Sequence, residues 1–150
     1  MKISIEEIKK LRITTGASIA DCRIVLEESK GDSKKALDLL RARGFEKAEK
    51  KSDRKTSQGL VDSYIHQNGR IGALVEVLCE TDFVARTDEF KNLSHEIAMQ
   101  VASMNPKDVD SLLKQEYIRD SSKTVGELIK ETIAKLGENI VIKEFKRLEI

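Results

Sequence analysis

Side chains able to carry covalent chemistry are few in this sequence and lie far apart. His66 comes just before a predicted turn, and His95 falls within a predicted amphipathic helix, where a polar flank or a partner contact is the commoner role. Cys22 and Cys79 form neither a C-x-x-C motif nor a paired Cys/His spacing for structural zinc. We expect both thiols to be reduced and buried, as free cysteines usually are.

The carboxylates do not form a catalytic pair either. Glu76 and Glu80 would share one face of a strand about 13 Å apart, which is too far for a shared proton or for a retaining glycosidase. Asp82 with Glu80 supplies too few oxygens for a calcium site. Glycine-rich phosphate loops and the G-x-S-x-G motif do not occur in the sequence. The sequence therefore predicts a binding protein, with no cofactor and no covalent step.

The segment VLCETDFVAR, residues 77–86, raises the question of where its aromatic ring lies. If the preceding strand continued, Phe83 would fall on the buried face of that strand. Thr81 and Asp82, however, are residue types that end a strand and begin a helix, which would put the ring in a junction near the surface. The pattern alone leaves both positions open.

The elements around this segment can be predicted from caps and periodicity. Residues 4–44 predict three short helices, whose start and stop signals are Ser4 with Glu7, Gly16, Ser18 with Asp21, Asp32 or Ser33, and Gly44. Asn68-Gly69 then separates two β-rich runs and predicts a hairpin with a type I′ turn. The second run places one apolar face inward, formed by Ile71, Ala73, Val75, Val77 and Cys79.

The rest of the chain completes an α+β pattern. Thr87 and Thr124 are predicted to begin two amphipathic helices, and NIVIKEFKRLEI is predicted to be a final strand. Residues 107–122 give no clear assignment. The order predicts a three-helix domain over 1–45, a basic linker over 46–58, and an α+β core over 59–150 with a three-stranded antiparallel sheet and flanking helices.

Composition limits the classes of partner. Lys and Arg total 27 against 26 for Asp and Glu, so the chain is not a simple polyelectrolyte for nucleic acid. No stretch approaches the roughly 20 apolar residues of a membrane span, and the acidic amino terminus is unlike a signal peptide. We therefore expect a cytoplasmic protein with no membrane partner.

The segment FEKAEKKSDRKTSQ, residues 45–58, is the part of the chain that leaves a nucleic-acid partner open. Its simplest interpretation is a solvated linker. The alternative is a ribosome- or RNA-associated protein that uses this segment as a basic arm, although interleaved acids and the lack of aromatics weaken it. Direct nucleic-acid binding is therefore not expected.

Three motifs carry a specific resemblance. Lys9 to Gly44 contains L-R-x-x-T-G-A-x-x-x-D-C, residues 72–86 read GALVEVLCETDFVAR, and residues 133–145 read IAKLGENIVIKEF. In this order and spacing they resemble the bacterial elongation factor Ts family. The resemblance implies a guanine-nucleotide exchange factor for elongation factor Tu, with an amino-terminal fold like the ubiquitin-associated module.

The resemblance also implies two partner-binding surfaces. In the first, Thr81, Asp82, Phe83 and Val84 form a tip whose Asp82 and Phe83 insert near the magnesium-holding elements of the GTPase. The second surface is formed by residues at the start of the second helix and by one neighbour, namely Arg12, Ile19, Ala20 and Arg23. The family commonly has two methionines at positions 19 and 20, so Ala20 truncates that contact.

Length sets this chain apart from longer members of the resembled family. Between the helix after the tip and the final helix and strand, about 20 residues replace a helical insertion and a second core subdomain. A homodimer that pairs through the NIVIKEF strand would supply part of what is lost. A third interpretation of the three helices is a polyubiquitin-type docking module with an unrelated core.

Overall fold

A computed structural model describes residues 2–150 and divides the chain into two compact units between Lys47 and Ala48. The first unit is helical and the second is mixed, which confirms the predicted α+β class. No helix among the described residues is both long and apolar enough to cross a membrane.

Two helices and most of a third form the first unit: α1 (Ile5–Thr15), α2 (Ile19–Glu28) and α3 (Ser33–Glu49), whose last two residues belong to the second unit. Ser4 and Glu7 form the predicted capping box, and Gly16 ends α1 in the left-handed conformation that glycine adopts without steric cost. A small core joins the helices, made by Leu11, Cys22, Val25, Leu26, Ala36 and Leu40. The predicted caps are thus confirmed for α1 and α2.

The predicted end of the third helix at Gly44 is wrong. Gly44 does not adopt positive φ, and α3 continues to Glu49. Ala48, which the longer helix carries, is 2% exposed and packs in the core of the second unit. Burial of Ala48 outweighs the modest helix-breaking tendency of an interior glycine.

The second unit contains five strands and four further helices. The strands are β1 (Gln58–Ile65), β2 (Ile71–Cys79), β3 (Glu116–Tyr117), β4 (Asp120–Thr124) and β5 (Ile140–Glu149); the helices are α4 (Asp82–Ala85), α5 (Asp88–Met104), α6 (Val109–Lys114) and α7 (Val125–Leu136). β1, β2 and β5 form the predicted three-stranded antiparallel sheet with β2 in the centre. β3 and β4 pair separately, in the segment that the sequence left unassigned.

The core of this unit lies between the inner face of the sheet and its helices. The inward face of β2 is the predicted one, with Ala73, Val75, Val77 and Cys79 all buried. Phe90 and Ile97 on α5 are likewise buried in the same core. The outer face of the sheet carries no such cover, since Leu74 is 52% exposed and Leu148 on β5 is 79% exposed.

The hairpin between β1 and β2 forms as predicted but with a different turn. Gly69 has φ 69°, whereas Asn68 does not adopt positive φ, so a type I′ turn at Asn68-Gly69 is wrong. The Gly69 amide donates to the His66 carbonyl at 2.8 Å, and the His66 amide donates to the Ile71 carbonyl at 2.9 Å. The loop is therefore longer than two residues, and only its glycine needs the left-handed region.

Gln100 fixes the unassigned connection to α5. Its side chain is fully buried, and its amide nitrogen donates to the Gln115 side chain at 3.2 Å and to the Glu116 carbonyl at 3.0 Å. Its amide oxygen accepts from the Ile118 amide at 2.9 Å. One buried polar side chain thereby satisfies three groups of an otherwise short connection.

The substitution Gln100→Met is expected to lower the free energy of unfolding of the second unit by about 2 kcal/mol, because it leaves buried peptide groups without partners. Both tyrosines, Tyr64 and Tyr117, lie in this unit, so the tyrosine near-ultraviolet signal during urea unfolding reports on it alone. The exposed Gln67 gives the matched control Gln67→Met. Equal unfolding midpoints for the two variants would contradict the prediction.

Candidate functional site

The tip that follows β2 holds its aromatic ring in solvent. Phe83 is 80% exposed, whereas the next two residues, Val84 and Ala85, are 6% and 4% exposed. Of the four phenylalanines, Phe83 is the one that the structure leaves exposed. The two buried residues therefore anchor α4 in the core of the second unit and turn Phe83 outward.

Thr81 begins α4 and fixes the start of the tip. Its Oγ1 accepts a hydrogen bond from the Val84 amide at 3.3 Å, as an N-cap does. Its own amide and hydroxyl both donate to the carboxylate of Glu138, at 3.0 and 2.8 Å. Of the two possibilities that the sequence pattern left open, the strand therefore ends before Thr81, and a residue distant in sequence holds the first residue of the tip.

Asp82 lies beside the ring on the exposed side of the tip. Its carboxylate contacts the Arg86 guanidinium at 3.1 Å, and the two side chains are 64% and 79% exposed. An ion pair this exposed contributes little free energy, so a partner group can replace Arg86. Asp82 and Phe83 together offer one charged and one apolar contact to an incoming surface.

A second network supports the end of β2. Glu80 Oε1 accepts from the Asn139 amide at 2.8 Å and lies 3.5 Å from the Arg54 guanidinium. Asn139 is 3% exposed, and its side-chain amide donates to the carbonyls of Ser52 and Arg54 at 3.4 and 3.0 Å. The turn before β5 thus joins the end of β2 to the segment before β1.

The two cysteines are unsuited to nucleophilic chemistry. Cys79 is fully buried directly before the tip, and burial together with the nearby Glu138 carboxylate raises the pKa of its thiol to about 11. Burial also raises the pKa of Cys22. Because the thiolate is the reactive form, both residues act as small apolar side chains.

Both histidines lie near Tyr64. His95 Nδ1 lies 3.8 Å from Asp62 Oδ1, and its ring meets the Tyr64 ring edge-on at 5.9 Å between centroids. Among residues 2–150, no group of three or more histidine, cysteine, aspartate and glutamate side chains could hold a metal ion.

The other predicted surface lies in the first unit. Arg12, Ile19, Ala20 and Arg23 are all exposed there, with Ile19 58% exposed. Arg23 pairs with Glu27 on the same helix at 2.9 Å, with both side chains at least half exposed. Ile13 on α1 is 85% exposed and was not among the predicted residues.

The basic segment is folded and partly neutralised. Residues 45–49 belong to α3, and Lys47 Nζ lies 2.9 Å from Asp21 Oδ2, which holds the pKa of that carboxyl below its usual value. Just before the segment, Arg43 pairs with Glu28 at 2.6 Å, and within it Arg54 lies near Glu80. These pairs reduce the positive charge that an RNA-binding arm would present.

Comparisons with known proteins agree with the motifs. A sequence model of the family described as elongation factor TS matches residues 80–150, which include the tip and the turn that holds it. Elongation factor Ts of Thermoanaerobacter sp. (strain X514) is 45% identical over 192 aligned residues, covering 98% of this chain and 94% of that protein. The elongation factor Ts proteins of Thermotoga neapolitana and Rippkaea orientalis are 42% and 43% identical, with 98% and 77% of their lengths covered.

These alignments run over 192 or 193 positions, whereas the chain has 150 residues, so the relatives contain residues without a counterpart here. The chain is 42–45% identical to these relatives over nearly its whole length, and each relative is named elongation factor Ts. This similarity identifies the chain as a translation elongation factor. The chain belongs to the elongation factor Ts family.

Proposed function

We propose that this chain is a guanine-nucleotide exchange factor for elongation factor Tu. The observation that carries the proposal is Phe83, an exposed aromatic ring on a tip whose base is fixed by hydrogen bonds and core burial. A fixed apolar probe with a carboxylate beside it is suited to enter a pocket on another protein. Membership of the elongation factor Ts family is the reason for proposing elongation factor Tu as the partner.

Exchange by such a factor needs no covalent bond. The tip binds a state of the GTPase in which magnesium and nucleotide are held poorly, and Asp82 fixes the approach of Phe83. Linkage requires that nucleotide weaken binding of the factor by the same ratio, and a coupling of ~3 kcal/mol corresponds to about 150-fold in affinity. Release of GDP from a transient ternary complex then lets GTP bind, within the cytoplasmic cycle of translation.

The surface on the first unit supplies affinity. Ile19 and Ala20 offer apolar contact, and Arg12 and Arg23 offer positive charge to an acidic element of the GTPase. Ile13 is also exposed on the first unit, and its side chain offers a larger apolar contact than that of Ala20. This surface is separate from the tip, so we expect it to govern how tightly the factor binds more than how fast nucleotide leaves.

The structure of the second unit also favours a homodimer. β5 is an edge strand, and the outer face of its sheet exposes Val61, Ile65, Leu74 and Leu148 to solvent by 52–79%. Lys146 stands opposite Leu74, and Glu144 stands opposite Glu76, so charges of both signs flank the apolar residues. A second copy covering this face would bury them and provide the surface area that the shorter chain lacks.

Removal of the ring tests the tip. Phe83→Ala is expected to slow GDP release by about tenfold or more at saturating factor, because truncation of a central aromatic anchor removes roughly 2 kcal/mol of contact. The measurement is dissociation of a fluorescent GDP analogue from preloaded elongation factor Tu. Met104→Ala, at a half-exposed apolar side chain remote in sequence, is the control.

Two results would contradict the exchange function. One is a release rate that does not rise at any concentration of the unaltered chain. The other is unfolding of Phe83→Ala by the tyrosine signal, which would mean that the ring serves its own core.

Truncation on the first unit should have a different effect. Ile19→Ala is expected to raise the concentration needed for half-maximal release by about fivefold, because about 1 kcal/mol of buried apolar area is lost. The maximal release rate should change little. The control is Ile5→Ala, at an exposed apolar residue of α1 outside the predicted surface. A fall in the maximal rate for Ile19→Ala would contradict a role in affinity alone.

The dimer has its own test. Sedimentation over a concentration series should give a dimer for the unaltered chain and a monomer for Leu148→Lys, because a lysine would leave a buried charge in the covered face. Ile118→Lys, at another exposed apolar residue of the second unit, should remain dimeric. A monomer at every concentration of the unaltered chain would rule out the dimer.

A further inference from the structure

We propose that Glu138 is a positioning residue, which holds the tip in the shape that presents Phe83. Glu138 lies in the turn between α7 and β5, far from the tip in sequence, and is half-buried. The inference rests on the proposed exchange function. It adds a residue that need not touch the partner for the tip to work.

The geometry at Glu138 is specific for Thr81. One carboxylate oxygen accepts from the Thr81 amide at 3.0 Å, and the other accepts from the Thr81 hydroxyl at 2.8 Å. Hydrogen bonds to an ionised carboxylate are stronger than those between neutral groups, and two of them fix orientation as well as distance. Thr81 therefore has one preferred position relative to the turn.

The Thr81 hydroxyl, held by Glu138, also caps the start of α4. Because its hydrogen is directed to Glu138, its oxygen is free to accept from the Val84 amide, which it does at 3.3 Å. α4 has only four residues, too few for a helix to be stable alone. Its orientation, and with it the direction of Phe83, depends on this cap and on the burial of Val84 and Ala85.

The turn itself is well fixed on both sides of Glu138. Gly137 ends α7 at φ 77°, with its amide donating to the Ile133 carbonyl at 2.8 Å. Asn139 is buried and donates its amide to Glu80 at 2.8 Å. Glu138 is thus held between two immobilised neighbours and serves as a rigid support for the tip.

A merely structural role would give a different pattern of effects. Glu131 on α7, the helix before the Glu138 turn, provides the comparison, because it makes a 2.7 Å ion pair with Lys123 on β4, with both side chains largely buried. Glu131→Ala should cost stability without affecting the tip. Glu138→Ala should affect the tip with little cost in stability.

The experiment measures GDP release from elongation factor Tu with the full chain and its variants. Glu138→Ala is expected to lower the maximal release rate about fivefold, with the tyrosine unfolding midpoint and the half-saturating concentration close to those of the unaltered chain. Glu138→Gln should restore part of the rate, because its amide oxygen can still accept from the Thr81 amide. Glu131→Ala should release GDP at the unaltered rate.

A double variant shows whether Glu138 acts through the ring. In the Phe83→Ala background, Glu138→Ala should cause no further loss, because there is no ring left to position. When Glu138 is replaced in the otherwise unaltered chain, the order parameters of the Asp82 and Phe83 amides, measured by ¹⁵N relaxation, should fall from about 0.85 to below about 0.6. This readout does not require the GTPase.

Each contrary outcome has a distinct meaning. If the unaltered chain accelerates release and Glu138→Ala matches it, the positioning role is overturned while the exchange function stands. A fivefold loss that persists in the Phe83→Ala background, or unchanged order parameters at the tip, overturns it equally. If the unaltered chain does not accelerate release, the exchange function fails, and the positioning role fails with it.

Discussion

The hydrogen bonds between the turn at Gly137–Asn139 and the end of β2 are the interaction on which the exposed tip depends. Glu138 binds Thr81 and Asn139 binds Glu80, so the chain cannot continue as a strand past Cys79 without losing both. Burial of Val84 and Ala85 then leaves one direction for Phe83, which is outward. The sheet, the turn and the short helix act together to expose a single ring.

Under the proposed function, this arrangement explains how contact alone would promote nucleotide release from another protein. An exposed ring contributes nothing to the stability of its own fold, and its apolar area becomes useful only when a partner covers it. A tip that is already ordered also loses little conformational entropy on binding, so more of the contact energy remains as net affinity for a partner. We propose that the surface on the first unit adds affinity for the same partner.

Local sequence signals predicted the local features and missed the distant ones. The capping boxes and the inward face of β2 follow from residue type and spacing, and the structure confirms them. The helix start at Thr81 was one of two possibilities that the pattern left open, and the structure shows that it forms. The contact between Glu138 and Thr81 has no local signal, because it depends on the register that sets Cys79 opposite Ile140. α3 continues past the predicted end at Gly44 because tertiary packing outweighs the local preference of glycine. The predicted type I′ turn does not form at Gly69 because the hairpin loop is longer than two residues.

The most direct test of the central claim is whether the tip meets the GTPase. Titration of the isotopically labelled chain with nucleotide-free elongation factor Tu, followed by NMR, reports every contacted residue at once. We expect the largest changes at Asp82, Phe83 and Val84, a second set around Ile19 and Arg23, and reversal when GDP is added. Changes confined to the outer face of the sheet, with the tip unaffected, would contradict it.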